Sequence, residues 1–241
     1  MAKRLRKSLA FEIAAQPDLV SCGPTCLHGI YGYYGDRTDL DALIQEVRML
    51  DEGGTLDVFL ANHALRRGYR VTLYTYNLQL FDPTWFALPP EAIAGRLEQQ
   101  ARAKPRRKLK LATLGYLRFL ELGGHLRFTD LQPALIRRYL NRDIPILTGL
   151  SATYLYQDSR EIPDSGASDD IRGEPMGHFV VLSGYDRQTR HVDVADPYEW
   201  NPLSRKRYYS VDMHRLIGAV LLGSLTYDAN LLVIEPPLPA Q

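Results

Sequence analysis

The spacing of apolar residues changes character once along this chain, near Asn141, and that change limits the folds open to it. Before it, apolar side chains recur at helical intervals from Gly23 to about Tyr34, from Leu40 to Leu50, and in a stretch opened by Thr55 as N-cap and closed by Gly68. Leu56, Phe59, Leu60 and Ala64 form the buried face of that third helix. Pro89-Pro90 opens another helix, and two more run from Leu111 to Leu122 and from Leu131 to Leu140. Tyr69 to Tyr76 alternates as a strand does. After Asn141 the period becomes two or the runs become short and apolar: Ile144 to Leu150, His178 to Tyr185, His191 to Asp196, Arg207 to Val211 and Leu231 to Ile234, with one helix, Asp212 to Leu222, among them. Helices first and a mostly antiparallel sheet second predicts an α+β fold.

The chain has 241 residues, which suits one large domain or two small lobes at roughly 100–200 residues per domain. We expect a single domain over 1–241, with a helical lobe over about 14–142 and a sheet lobe over about 143–236. A chain of this size hides roughly 70–75% of its unfolded surface and needs no disulfide or structural metal to hold it. A hydrophobic share of 45% with 24% charged residues excludes disorder, collagen and coiled coil. With 29 Lys+Arg against 28 Asp+Glu the net charge is +1, so the footprint of a nucleic-acid binder is missing. No apolar run approaches the ~18 residues of a membrane span.

Two cysteines, Cys22 and Cys26, stand four apart, and in a helix that spacing aims both side chains back along the axis rather than at each other. No disulfide framework is expected. The start, Met1-Ala-Lys-Arg-Leu-Arg-Lys followed by Ser8 to Ala15, mimics a basic leader and a short apolar core, but Glu12 interrupts the apolar stretch. A reducing cytoplasm is the expected location, with free thiols available for chemistry.

Pro24 is tolerated just inside a helix start because its missing N–H would be an orphan there, so Cys22 lies at or next to the N-cap. The macrodipole and the free backbone N–H groups of a helix start favour negative charge, the condition a thiolate needs. Cys22 is therefore the nucleophile candidate. Cys26, one turn deeper, reads as a small buried hydrophobe.

A thiolate nucleophile needs a base. In the segment from Gly177 to Pro197 two β-runs flank a turn centred near residue 187, and a hairpin about that centre sets His178 opposite Asp196, Val180 opposite Val194 and Leu182 opposite Val192. One face then carries the imidazole and, at its end, the carboxylate that orients it. Asp193 falls on the other face and Asp186 in the turn. Gln16, six residues before Cys22, can offer its side-chain NH2 to a developing oxyanion, with the Cys22 backbone N–H as second donor. Taken singly, each of these residues is more often structural; their combination points to nucleophilic catalysis.

The pattern Gln16-x5-Cys22-Gly23-Pro24, a helix ending Tyr33-Tyr34-Gly35, then Gly177-His178-Phe179-Val180-Val181-Leu182 and Asp196-Pro197 resembles the bacteriocin-processing (double-glycine leader) cysteine peptidases, family thirty-nine of the cysteine peptidases in the papain-like superfamily. The similarity covers about 14–35 and 144–200; the middle, about 80–142, is longer than those domains lead one to expect. The resemblance implies a papain-like fold, a peptide or protein substrate, Cys22 as nucleophile, His178 as general base and acid, Asp196 as the orienting residue and Gln16 as oxyanion donor. It implies no cofactor. A papain-fold acyltransferase, in which an amine resolves the thioester, and a non-catalytic peptide-binding relative stay open as alternatives.

Two charged segments stand apart from this pattern. The basic stretch from Arg96 to Lys110 reads as a solvated face or as a docking site for an acidic partner. The polar stretch between Gln157 and Gly177, acidic from Asp158 to Glu174, is too long for an ordinary connection and is expected to be a mobile lid or a disordered loop. No metal site is expected, since His28, His63, His125, His191 and His214 show no ligand spacing with each other or with the cysteines.

Overall fold

The computed structural model describes residues 5–51, 53–163 and 165–237. Met1 to Arg4 of the basic start and Asp164 of the acidic stretch lie outside the described residues. In chain order the elements are β1 (Arg6–Ser8), α1 (Cys22–Tyr33), α2 (Leu40–Glu46), α3 (Asp57–Arg66), β2 (Arg70–Thr75), α4 (Pro90–Ala103), α5 (Arg107–Glu121), β3 (His125–Arg127), α6 (Pro133–Leu140), β4 (Ile146–Ser151), α7 (Ala152–Tyr156), β5 (Gly177–Asp186), β6 (His191–Ala195), β7 (Tyr208–Asp212), α8 (Met213–Leu222) and β8 (Asn230–Glu235). The strands form one eight-stranded sheet in the order β3-β2-β8-β4-β5-β6-β7, with β1 paired to the far end of β5. Every pairing is antiparallel except β2 with β3. The architecture is α+β, as the hydrophobic periods predict.

Local chemistry sets most boundaries. Asp39 caps α2 by accepting from the Ala42 N–H at 2.9 Å, and Asp212 caps α8 by accepting from His214 and Arg215. Thr55 does not cap α3. Its hydroxyl donates to the Arg48 carbonyl at 2.6 Å, and the helix starts at Asp57 behind Leu56. Helix α5 starts four residues ahead of the expected Leu111, inside the basic run, because Leu109, Ala112, Tyr116 and Phe119 already share one buried face while Arg107, Lys110 and Arg118 point out. Among the described residues, no helix is long and apolar enough to cross a membrane.

The hairpin β5–β6 departs from its expected register. Leu182 pairs with Val194 and Val181 with Ala195, two residues from the predicted partners, and a bulge follows between Leu182 and Gly184. Turn and bulge set it together: Asp186 accepts from the Gln188 and Thr189 N–H groups and Arg190 takes a left-handed φ of 59°, which moves the pairs beside the loop by three residues, and the bulge takes one back. On the His178 side of the bulge the shift is two residues, which keeps the side chains there on their face. His178, Leu182, Val194 and Asp196 therefore still point the same way, with Asp196 diagonal to His178 instead of opposite it.

The acidic stretch, expected as a mobile lid or a disordered loop, carries local structure in its described residues. Glu161 bridges to both Ser168 and Glu174, Asp169 accepts from the Ile171 and Arg172 N–H groups, and Arg160 donates to the Asp170 carbonyl. Its backbone partners are local, which period reading along a polar stretch does not reveal.

Candidate active site

Helix α1 carries Cys22 as its first residue. Asp18 Oδ1 accepts from the Val20 and Ser21 N–H groups, a side-chain turn that bends the chain into the helix start. Pro24 has no N–H and Thr25 N–H already reaches the Ser21 carbonyl, so the N–H groups of Cys22 and Gly23 are the donors this first turn leaves without an intrahelical acceptor. Gly23 has a steric role: a Cβ there would come within 2.7 Å of Thr55 Cγ2 and 3.2 Å of Phe179. Without one, the N-terminus of α1 presses directly on β5 next to His178. One turn on, Cys26 Sγ lies 3.3 Å from the Phe179 carbonyl, fully buried, and burial pushes its thiol well up. Cys26 is the buried hydrophobe its position suggested. Both thiols are free.

His178 sits on β5, paired across to Leu150 of β4, and is 7% exposed. Its Nε2 meets Asp196 Oδ1 at 2.9 Å, and the Cys22 thiol lies near enough for its charge to act on the ring. With Nε2 held by the carboxylate, Nδ1 is the nitrogen left for sulfur. Tyr156 and Tyr198 flank the ring, with centroids 6.1 and 6.4 Å away. Burial by itself lowers the imidazole pKa; the charges of Asp196 and Cys22, with their hydrogen bonds, more than reverse this and lift it to about 10.

Asp196 follows the end of β6 and is fully buried. Oδ1 takes His178 and the Tyr198 N–H at 2.9 Å, while Oδ2 takes the phenol of Tyr156 at 2.7 Å and that of Tyr209 at 2.8 Å. Four donors saturate the lone pairs of the carboxylate. Burial raises its pKa, but His178 and these hydrogen bonds outweigh that and hold it below the usual carboxylate range. Burial beside Asp196 pushes both phenols up, so they remain donors.

Gln16 is tied to the same corner: its backbone N–H donates to the Pro197 carbonyl at 3.0 Å. One side-chain N–H donates to the Asp18 carbonyl at 2.7 Å. The second N–H of that amide is not committed there.

The structure thus joins His178 to Asp196, brings Cys22 close enough for its charge to act on the ring, and sets Gln16 beside Pro197. Tyr156 and Tyr209 were missed. Tyr209 was legible in principle, since β7 alternation with Val194 opposite Tyr209 puts it on the face of Asp196. Tyr156 was not, because α7 is a five-residue helix with no period to detect. His63, read as packing, is buried with Nδ1 at 2.8 Å from Tyr31 and Nε2 at 2.9 Å from Glu46, away from this cluster.

Residues 127–216 match the model of the Peptidase_C39 like family, in agreement with the resemblance read from the motifs. The matched stretch holds His178 and Asp196 and leaves Cys22 and Gln16 outside it. No curated protein sequence matches the chain. Among solved structures, it is similar to a double glycine motif protease from an AMS/PCAT transporter in complex with the leader peptide, with 13% identity, TM-score 0.47 and coverage of 95% of this chain and 94% of that one. The peptidase domain of Streptococcus ComA, a bi-functional ABC transporter, gives 12% identity, TM-score 0.46 and coverage of 94% and 98%. Xylellain, a cysteine protease from Xylella fastidiosa, gives 15%, 0.47, 98% and 87%.

Proposed function

We propose that this protein is a cysteine peptidase or amidohydrolase that cleaves a peptide or amide bond through a thioester on Cys22. The reading is supported by one arrangement: an imidazole with a buried carboxylate on one nitrogen, and a thiol at a helix N-terminus close enough for its charge to act on that ring.

The chemistry follows from the groups in order. Cys22, as thiolate beside protonated His178, adds to the carbonyl carbon, and the C=O pair moves onto oxygen. That oxyanion lies at the start of α1, where the Cys22 N–H and the free N–H of Gln16 donate to it. His178 gives its proton to the leaving nitrogen as the C–N bond breaks, leaving a thioester and a neutral imidazole. The imidazole then takes a proton from water as it attacks, and collapse returns the thiolate and releases the acid. Asp196 stays ionised throughout and fixes the ring's tautomer and tilt.

Iodoacetamide labelling followed by mass spectrometry tests the pair without a known substrate. Cys22 is expected to react faster than free cysteine at a pH of about 5, Cys26 to stay unlabelled, and His178→Ala to remove the advantage. Cys22 reacting no faster than free cysteine would overturn the reading. Hydrolysis of a peptide mixture, absent in Cys22→Ala, separates an enzyme from an idle binding relative, and added amines appearing in the products would instead favour acyl transfer.

A further inference from the structure

A concave site lies toward the other end of the sheet from His178 and owes nothing to the peptidase reading. Along β2 the side chains of Arg70, Thr72 and Tyr74 alternate onto one face. Across the ladders Arg70 faces Glu235 of β8 and Tyr74 faces Arg127 of β3, so these share that face. Helix α6 and the residues just after it lay Arg138 and Arg142 over the same surface. The result is a cleft of about 430 Å³ with four guanidinium groups and one carboxylate on its walls. Strands β8 and β4 separate its floor from His178 on β5.

The charges do not balance. Glu235 accepts from Arg142 at 2.8 Å and from Arg70 at 3.5 Å. Arg138 and Arg142 rest over the Tyr139 ring at 5.7 and 5.9 Å, which holds their planes in place. Among the described residues, no carboxylate forms an ion pair with Arg127 or Arg138. Crowded like charges in a concavity repel one another and focus a positive field outward. An anion relieves that repulsion, and planar forks match the oxygen pairs of a phosphoryl group. Four guanidinium groups against one carboxylate leave a net charge of +3, which calls for more than one phosphoryl group.

We propose that this cleft binds a small ligand bearing two or more adjacent phosphoryl groups, held by Arg127 and Arg138 with Arg70 and Arg142 completing the ring. Calorimetric titration of the full chain with pyrophosphate, at fixed moderate ionic strength, tests it. Saturable binding at one site per chain is expected, weakened about tenfold or more in Arg127→Ala/Arg138→Ala and unchanged in Arg102→Ala, an exposed arginine of the other basic surface. Both substituted arginines are exposed, so the variant is expected to keep the parent's unfolding midpoint. Should it not, Arg127→Lys/Arg138→Lys keeps the charge, loses the fork and is expected to bind less tightly than the parent. Absence of saturable binding, equal affinity in the folded variant, or citrate bound as tightly as pyrophosphate would overturn the assignment.

Discussion

The phenol of Tyr209 donates to Oδ2 of Asp196 at 2.8 Å, on the oxygen opposite the one that holds His178. Tyr209→Phe leaves a fully buried carboxylate one donor short, which costs about 1–3 kcal/mol. The sign of its pH dependence is fixed. Asp196 has a native pKa below its unfolded value, so its contribution is present above the unfolded carboxyl range and is lost as pH falls through the native pKa. Urea denaturation at several pH values is expected to show the widest gap between parent and Tyr209→Phe near neutrality, narrowing in acid. A pH-independent gap would mean that the phenol serves packing only.

How far this site was legible in the sequence depends on the range of each signal. Cys22 followed by Gly23-Pro24 marks a helix start by local chemistry, and the structure begins α1 there. His178 and Asp196 share a face because strand parity survives a two-residue error in register; the turn and bulge that together caused the error, the turn set by the Asp186 side chain and the left-handed Arg190, are what period counting does not see. Strands β1 and β3, three residues each, are too short to carry a period and exist because β5 and β2 offer open edges. Tyr156 reaches Asp196 only through tertiary packing of α7.

Gln16→Ala separates oxyanion stabilisation from scaffold. If its second N–H serves the oxyanion, turnover on any peptide the parent cleaves is expected to fall about 10²–10³-fold with little change in KM. The backbone bond from Gln16 to Pro197 survives the substitution, so the unfolding midpoint is expected to move little. A rise in KM with kcat intact would assign the side chain to substrate binding instead.

The imidazole gives an alkaline signature. Its native pKa of about 10 lies above the unfolded value near 6.5, so its contribution to stability is complete below pH 6.5 and is lost as pH rises through about 10. Between those limits the parent is expected to lose stability with pH, while His178→Gln, which has no titrating ring, loses less. The measurement is the urea midpoint at intervals across that window; parallel curves would show that the ring is not held as the cation.

Asp57 predicts a change of the opposite kind from an ordinary surface acid. It is buried at the start of α3, where it accepts from the Val58 N–H, and burial followed by the nearby charge of Asp228 pushes its carboxyl up to about 8. The native state holds this proton while the unfolded chain releases it, so stability falls as pH climbs from about 4 toward 8. Asp57→Asn keeps the acceptor and removes the titration. It is expected to flatten that slope and to be the more stable form at pH 8, by on the order of a few kcal/mol at most; thermal unfolding at pH 5 and pH 8 provides the comparison.

Gly177, the residue before His178, has no room for a side chain. A Cβ there would overlap Asp228 Oδ2 and sit 2.8 Å from Thr226 Oγ1, so Gly177→Ala must displace the Asp228 carboxyl or move the start of β5 and the imidazole with it. Overpacking of this kind costs about 1–3 kcal/mol. The two responses can be told apart by a double-mutant cycle, because Asp228→Ala removes the nearest obstacle and leaves only the Thr226 hydroxyl to turn aside. If the carboxyl is the obstacle, Gly177→Ala is expected to be nearly silent in the Asp228→Ala background, in stability and in the iodoacetamide rate at Cys22 alike. Additive losses would locate the strain in the β5 backbone, and the rate at Cys22 would then fall in both backgrounds, since the strand that shifts is the one that carries His178.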